Sequence, residues 1–171
     1  MDFTKGSRNN VMTKRLAVTR TMLSLAAFTC DVFAQCAPGG STECTNCSFR
    51  VGDAVAATGA SSVTLPIIAT NDVCVFGFSV GLEVDPSKVV VTNVNDTGTA
   101  SEGAGFSFGT VAGDGSRAHW GVVFDLGGDF SEKNLPPGAN VTILEIELSV
   151  IADSDTTAMV EFKEFESSPG G

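Results

Sequence analysis

Residues 74–84 read Cys-Val-Phe-Gly-Phe-Ser-Val-Gly-Leu-Glu-Val, followed by Asp85-Pro86-Ser87-Lys88. In an extended chain Phe76, Phe78, Val80, Leu82 and Val84 fall on one side, and Gly77, Ser79, Gly81 and Glu83 on the other. Period-two alternation is the mark of a strand with one buried and one open face. Asp-Pro-Ser is turn chemistry. Val89-Val90-Val91 then opens the next strand.

The same pattern recurs on either side of this stretch. Phe49–Ala57 is a weak strand candidate holding Val51-Gly52-Asp53. Val63, Leu65 and Ile67 share a face, and Pro66 between them lacks a ladder N–H, which favours an edge or a bulge. Residues 88–94 and Phe106-Ser-Phe-Gly-Thr110 continue the series, and Gly113-Asp-Gly115 marks a turn. Arg117–Phe124 places Ala118, Trp120, Val122 and Phe124 inward. Residues 125–138 form a long loop rich in Gly, Asp and Pro. Leu144, Ile146, Leu148 and Val150 point inward on the next strand, with Glu145 and Glu147 outward. Ala158, Val160 and Phe162 point inward on the last. No window carries a helical stripe. The pattern predicts an all-β chain, a jelly-roll β-sandwich of about eight to nine strands. The sandwich is expected over residues 49–166, with 167–171 a tail or a truncation.

Residues 1–34 have the organisation of a secretory signal. Lys14-Arg15 and Arg20 supply the basic region, Met22–Phe28 begins the apolar region, and Val32-Phe33-Ala34 offers a small-residue cleavage site. Cleavage there leaves Gln35 at the N-terminus of a secreted or cell-surface protein. The apolar stretch is too short for a transmembrane helix. Residues 35–48 read as an irregular arm. The arm carries Cys36, Cys44 and Cys47, and with Cys74 these make an even number of cysteines in an exported chain. Two disulfides follow, with three connectivities open. One of them closes Cys44–Cys47 as a tight loop and ties the arm to the sandwich through Cys36–Cys74.

Net charge is −10, and the imbalance deepens beyond the leader, where five basic residues face eighteen acidic ones. Nucleic acid and anionic membrane surfaces are poor partners for such a body, because both need clustered Lys or Arg. Acidity of this kind serves solubility.

No catalytic constellation emerges. His119 is the single histidine, outward on its strand beside Trp120, and a catalytic His needs a nucleophile and an orienting acid in space. Trp120 has the phase of a core residue rather than a sugar-stacking platform. Asp125, Asp129 and Glu132 share a loop that could supply paired carboxyls, but such loops are ordinarily solvated. Asp114-Gly115 and Asp125 through Asp129 offer oxygen ligands, yet neither has EF-hand spacing, so calcium is unsupported and no cofactor is expected. Cys44-Thr-Asn-Cys47 lacks the further Cys or His that a zinc site requires, so no metal is expected either.

Val51-Gly52-Asp53, Val63-Thr-Leu-Pro-Ile67, the strand from Val75 to Asp85-Pro86, Leu144–Val150 and Thr157–Phe162 together resemble a cohesin domain. The resemblance covers roughly residues 50–165. It implies a nine-stranded jelly roll that is exported, non-enzymatic and used for docking a dockerin-like protein. By strand order the docking face corresponds to the strands at 74–84, 106–111, 117–124 and 157–163. Its outward residues include Ser79, Ser107, Arg117, His119, Val123 and Lys163. No dockerin repeat accompanies the domain. The strand count falls about one short, which leaves the N-terminal arm to close the sheet or the C-terminus truncated. A carbohydrate-binding module is the alternative, but it needs exposed aromatics, and most Phe residues read as inward. A hydrolase ranks last.

Overall fold

A computed structural model describes residues 15–18, 44–57, 60–126, 133–152 and 156–163, with backbone alone at 15–18, 57 and 156. Among the described residues there is no helix, and eleven strands are present. They are β1 (Arg15–Val18), β2 (Ser48–Val51), β3 (Ala54–Ala57), β4 (Ser62–Asn71), β5 (Gly77–Val84), β6 (Val89–Asn95), β7 (Phe106–Val111), β8 (Arg117–Val123), β9 (Gly138–Val150), β10 (Thr156–Ala158) and β11 (Val160–Phe162).

Two antiparallel four-stranded sheets form the body, in the orders β2-β4-β9-β6 and β11-β5-β8-β7. Their inner faces meet in one apolar core, as in a β-sandwich. Leu65, Ile67, Ile146 and Leu148 come from the first sheet, and Phe78, Val80, Leu82 and Val122 from the second. The alternation in β5 is realised in full, because Phe78, Val80, Leu82 and Val84 are buried. The inward phases expected for β4, β8 and β11 hold as well: Leu65, Ile67, Ala118, Val122 and Val160 are buried.

Irregularities in the ladders explain the departures from strict alternation. β9 changes register against β4 between Ile67 and Ile68, so Ile143 and Leu144 both turn inward and both are fully buried. A bulge of this kind places two residues opposite one. β6 shifts between Val91 and Asn93, and the Thr92 hydroxyl donates to the Glu147 carbonyl at 3.0 Å.

β4 is interior rather than an edge, and Pro66 is accommodated by two neighbours. β2 ends opposite Ile67, and the β9 bulge begins one residue after the proline. Gly52, the residue after β2, lies over the proline ring, and a Cβ there would sit 2.7 Å from Pro66 Cγ. A side chain at that position would collide, so Gly follows Val51.

A third, small sheet has the order β10-β1-β3. β1 runs antiparallel to β3 and parallel to β10. Residues 15–18 therefore supply backbone that joins the two flanking strands. The remainder of the expected leader, residues 35–43 of the expected arm and the tail at 167–171 lie outside the described residues, as do Asp129 and Glu132.

Candidate functional site: the outer face of the β11-β5-β8-β7 sheet

The strands expected at 74–84, 106–111 and 117–124 share one sheet, but the strand expected at 157–163 divides: Val160–Phe162 joins them as β11, whereas Thr156–Ala158 pairs in the small sheet as β10. Register places the outward residues in rows. Gly77, Val123 and Phe106 make one row, and Ser79, Gly121 and Phe108 the next. Gly81, His119 and Thr110 follow, then Glu83 with Arg117. Three glycines give this face a low floor through its middle.

Polar contacts sit on that floor. Ser79 Oγ and His119 Nε2 are 2.7 Å apart. Glu83 is held from both sides, with Arg117 Nη2 3.3 Å from Oε1 and Lys163 Nζ 3.4 Å from Oε2. The hydrogen bond from Lys163 comes first, and that from Arg117 adds to it, in holding the Glu83 carboxyl below its ordinary range. The single histidine thus meets a serine. Glu83, a carboxylate of this face, is engaged by the two cations rather than orienting the imidazole, as a catalytic triad would require.

Of the residues expected on this face, Ser79, Arg117, His119 and Lys163 are exposed and Val123 is half-buried on the outer side. Ser107 is the correction. It lies opposite Val122, which is buried, and its hydroxyl accepts the Trp120 indole N–H at 2.9 Å. Ser107 therefore faces the interior, and Phe106 and Phe108 face out, 46% and 59% exposed. Their rings are 6.3 Å apart between centroids. The cause is Trp120. Its indole lies under Gly109, its cross-strand partner, so tightly that a Cβ on Gly109 would collide with it. The inner side of β7 must therefore carry its small residues, and the two phenylalanines take the outer side. Alternation alone leaves the phase of Phe-Ser-Phe-Gly open. The available signal was the pairing of Trp120-Gly121 against Phe108-Gly109, large opposite small in both registers.

The cysteine arm makes a second cluster. Cys44 and Cys47 lie at disulfide distance, with Cα atoms 5.7 Å apart. Cys74 is also held in a disulfide. Asp72, in the turn after β4, caps the Cys44–Cys47 loop. It accepts from the Asn46 amide at 3.0 Å, the Thr45 amide at 3.3 Å and the Thr45 hydroxyl. That hydroxyl is the leading reason the Asp72 carboxyl is held below its ordinary range. The two sulfurs and a carboxylate oxygen all fall within 4.8 Å of one another. With the sulfurs joined, neither is a thiolate, the form that binds metal.

The acidic loops named from sequence divide. Asp114 Oδ1 accepts from the Ser116 amide at 3.0 Å and from its hydroxyl at 2.7 Å, a turn-closing arrangement. Asp85 does the same for Ser87, at 3.0 and 2.6 Å. Both carboxylates are engaged in holding turns.

Comparison of the chain with protein-family models, with curated proteins and with solved structures finds no match.

Proposed function

We propose that this protein is an exported, non-enzymatic binding module, a jelly-roll sandwich of the cohesin kind. In this reading it docks a dockerin-like polypeptide on the outer face of the β11-β5-β8-β7 sheet. The observation that carries the reading is the exposure of Phe106 and Phe108 on one side of a glycine-floored face. Large exposed aromatics flanked by polar groups are the composition of an interface centre with a polar rim. Ser79, His119, Arg117, Glu83 and Lys163 supply the polar groups beside the rings. The acidic body and its paired cysteines suit secretion or the cell surface.

The same two phenylalanines favour polysaccharide binding as a second reading, because aromatic rings on an open sheet face are what sugar stacking needs. Retention on immobilised dockerin modules, set beside affinity electrophoresis in cellulose, xylan and chitin, separates the two. Retention on a dockerin that is lost in the Phe106→Ala/Phe108→Ala variant supports the docking reading. Retardation by a polysaccharide with no dockerin retention replaces it with the second.

A further inference from the structure

The two main sheets have β2, β6, β7 and β11 at their edges. An open edge is a template for another strand, and proteins blunt it with short length, charge, proline or a bulge. β11 is three residues long and is followed by Lys163. β2 is four residues long and carries Arg50. β6 changes register between Val91 and Asn93, and its Val91 amide donates to the Gly115 carbonyl at 2.8 Å. β7 has none of these devices. Residues 103–113 hold no charged side chain and no proline, and the β7–β8 ladder runs through Phe106–Val111 without a register shift.

Register also shows which main-chain groups of β7 are open. Val84 donates to the Ser116 carbonyl at 2.9 Å and Phe124 donates to the Phe76 carbonyl at 2.8 Å, so alternate residues of β8 from 116 onward turn their backbones to β5. The residues between them turn to β7, where the Arg117 carbonyl accepts from Ala112 at 2.8 Å. Hydrogen-bonded pairs alternate along an antiparallel ladder. Phe106, Phe108 and Thr110 therefore bond to β8, while Ser107, Gly109 and Val111 turn N–H and C=O to the edge. Among the described residues, no main-chain hydrogen bond from outside the sheet reaches these three. They face the interior yet are only half-buried, whereas Val122 and Ala118, opposite Ser107 and Val111 on β8, are buried. The sandwich is unsealed along this strand.

We propose that the β7 edge is a self-association surface, and that its occupant is the β7 edge of a second copy, paired antiparallel about Gly109. Such a contact is isologous: Gly109 meets its own mate, and Ser107 meets Val111 of the second copy. Charge argues for a like copy at this place. Beyond the leader five basic residues face eighteen acidic ones, so two bodies repel, and residues 103–113 are an uncharged stretch on which they can approach. The rings argue for the register. Phe108, 59% exposed, would stand opposite Thr110 of the second copy and diagonal to its own mate, within reach of an aromatic side chain. Pairing joins the outer faces of two copies into one sheet surface and does not depend on what that face docks. Residues 106–111 lie beyond the expected leader, so the exported chain keeps the edge.

The full chain is followed by light scattering and by amide hydrogen exchange between about 1 µM and about 1 mM, the range suited to a contact of small area. The expected mass rises to twice that of one chain. The Ser107, Gly109 and Val111 amides gain protection with concentration, and the Phe108 and Thr110 amides, already bonded to β8, do not change. The variant is Val111→Pro, which removes an N–H that β8 does not use, as prolines of natural edge strands do. It should keep the single-chain mass throughout, with protection in β5 and β8 intact. A single-chain mass at every concentration of the parent overturns the proposal and leaves the edge to an extended segment of another protein. A dimer in which Ser107, Gly109 and Val111 stay unprotected overturns it as well, as does a folded Val111→Pro variant that still pairs. Should the variant lose protection in β5 and β8, the concentration dependence of those three amides in the parent decides alone.

Discussion

Gly109 and Trp120 face each other across the β7–β8 ladder, and the indole together with the His119 carbonyl oxygen occupies the volume that a side chain at position 109 would need. This contact sets the phase of β7 and so puts Phe106 and Phe108 on the open face. Gly109→Ala should therefore push on a ring held by Ser107 and cost about 1–3 kcal/mol, the usual range for overpacking. Gly113→Ala, where a Cβ meets nothing within 4 Å, should change stability by less than about 0.5 kcal/mol. Urea midpoints of the two variants check the contrast; equal midpoints would remove Trp120 as the determinant.

Phe106 and Phe108 stand outside the apolar core. Alanine at either position should leave stability within about 1 kcal/mol of the parent. If the docking reading holds, affinity for a dockerin module should fall about tenfold or more, as expected of aromatic anchors. Unfolding curves and binding titrations on the same samples separate the effects. A variant that unfolds early and binds normally would mean that the rings pack rather than dock.

Leu148 and Ile146 are fully buried on the central strand β9. Leu148→Ala should cost about 2–5 kcal/mol, combining lost transfer energy with an unfilled cavity. Thermal or denaturant unfolding of the reduced-to-alanine variant measures it, and a cost below 1 kcal/mol, roughly the value of one buried methylene, would contradict the packing described.

The Asp72 carboxyl titrates below its ordinary value of 3.8, first because the Thr45 hydroxyl donates to its charged form. A depressed folded pKa contributes stability that is fully present above the unfolded value and disappears as pH falls through the folded one. Capping of the Cys44–Cys47 loop should therefore persist at pH 5 and fail only in acid below about pH 3.8. The Asn46 amide resonance, followed by NMR, should report that midpoint and lose it in Asp72→Asn. A midpoint at or above 3.8 would mean that the loop does not hold the carboxylate.

Intact mass of the exported protein, before and after reduction and alkylation, tests the leader and the cysteine framework together. The expected species begins at Gln35 and has Cys36, Cys44, Cys47 and Cys74 all oxidised. A retained leader with free thiols would remove the argument for export and return Cys44, Cys47 and Asp72 to consideration as a metal site.

Much of the sandwich was legible because strand alternation is local. The inward sets of β4, β5, β8 and β9 follow from residues two apart, each needing only an apolar face to be recognised. The grouping of the strands at 74–84, 106–111 and 117–124 in one sheet came from the resemblance and holds, whereas the strand expected at 157–163 divides between two sheets. Ile143 escaped this reading, because a bulge breaks the period that alternation relies on.

By itself the sequence determined an all-β chain and the faces of its longer strands. Those properties arise from the spacing of apolar side chains and from turn residues such as Asp85-Pro86-Ser87. Tertiary structure alone decided the outward turn of Phe106 and Phe108, the inward turn of Ser107 and the placement of Arg15–Val18 between β3 and β10. Phe-Ser-Phe-Gly alternates equally well with either face inside, and the volume already filled by Trp120 and by the His119 carbonyl favours Gly109 on the inner side. Backbone pairing of residues 15–18 depends on two edges more than thirty and more than a hundred residues away, which no local period can encode.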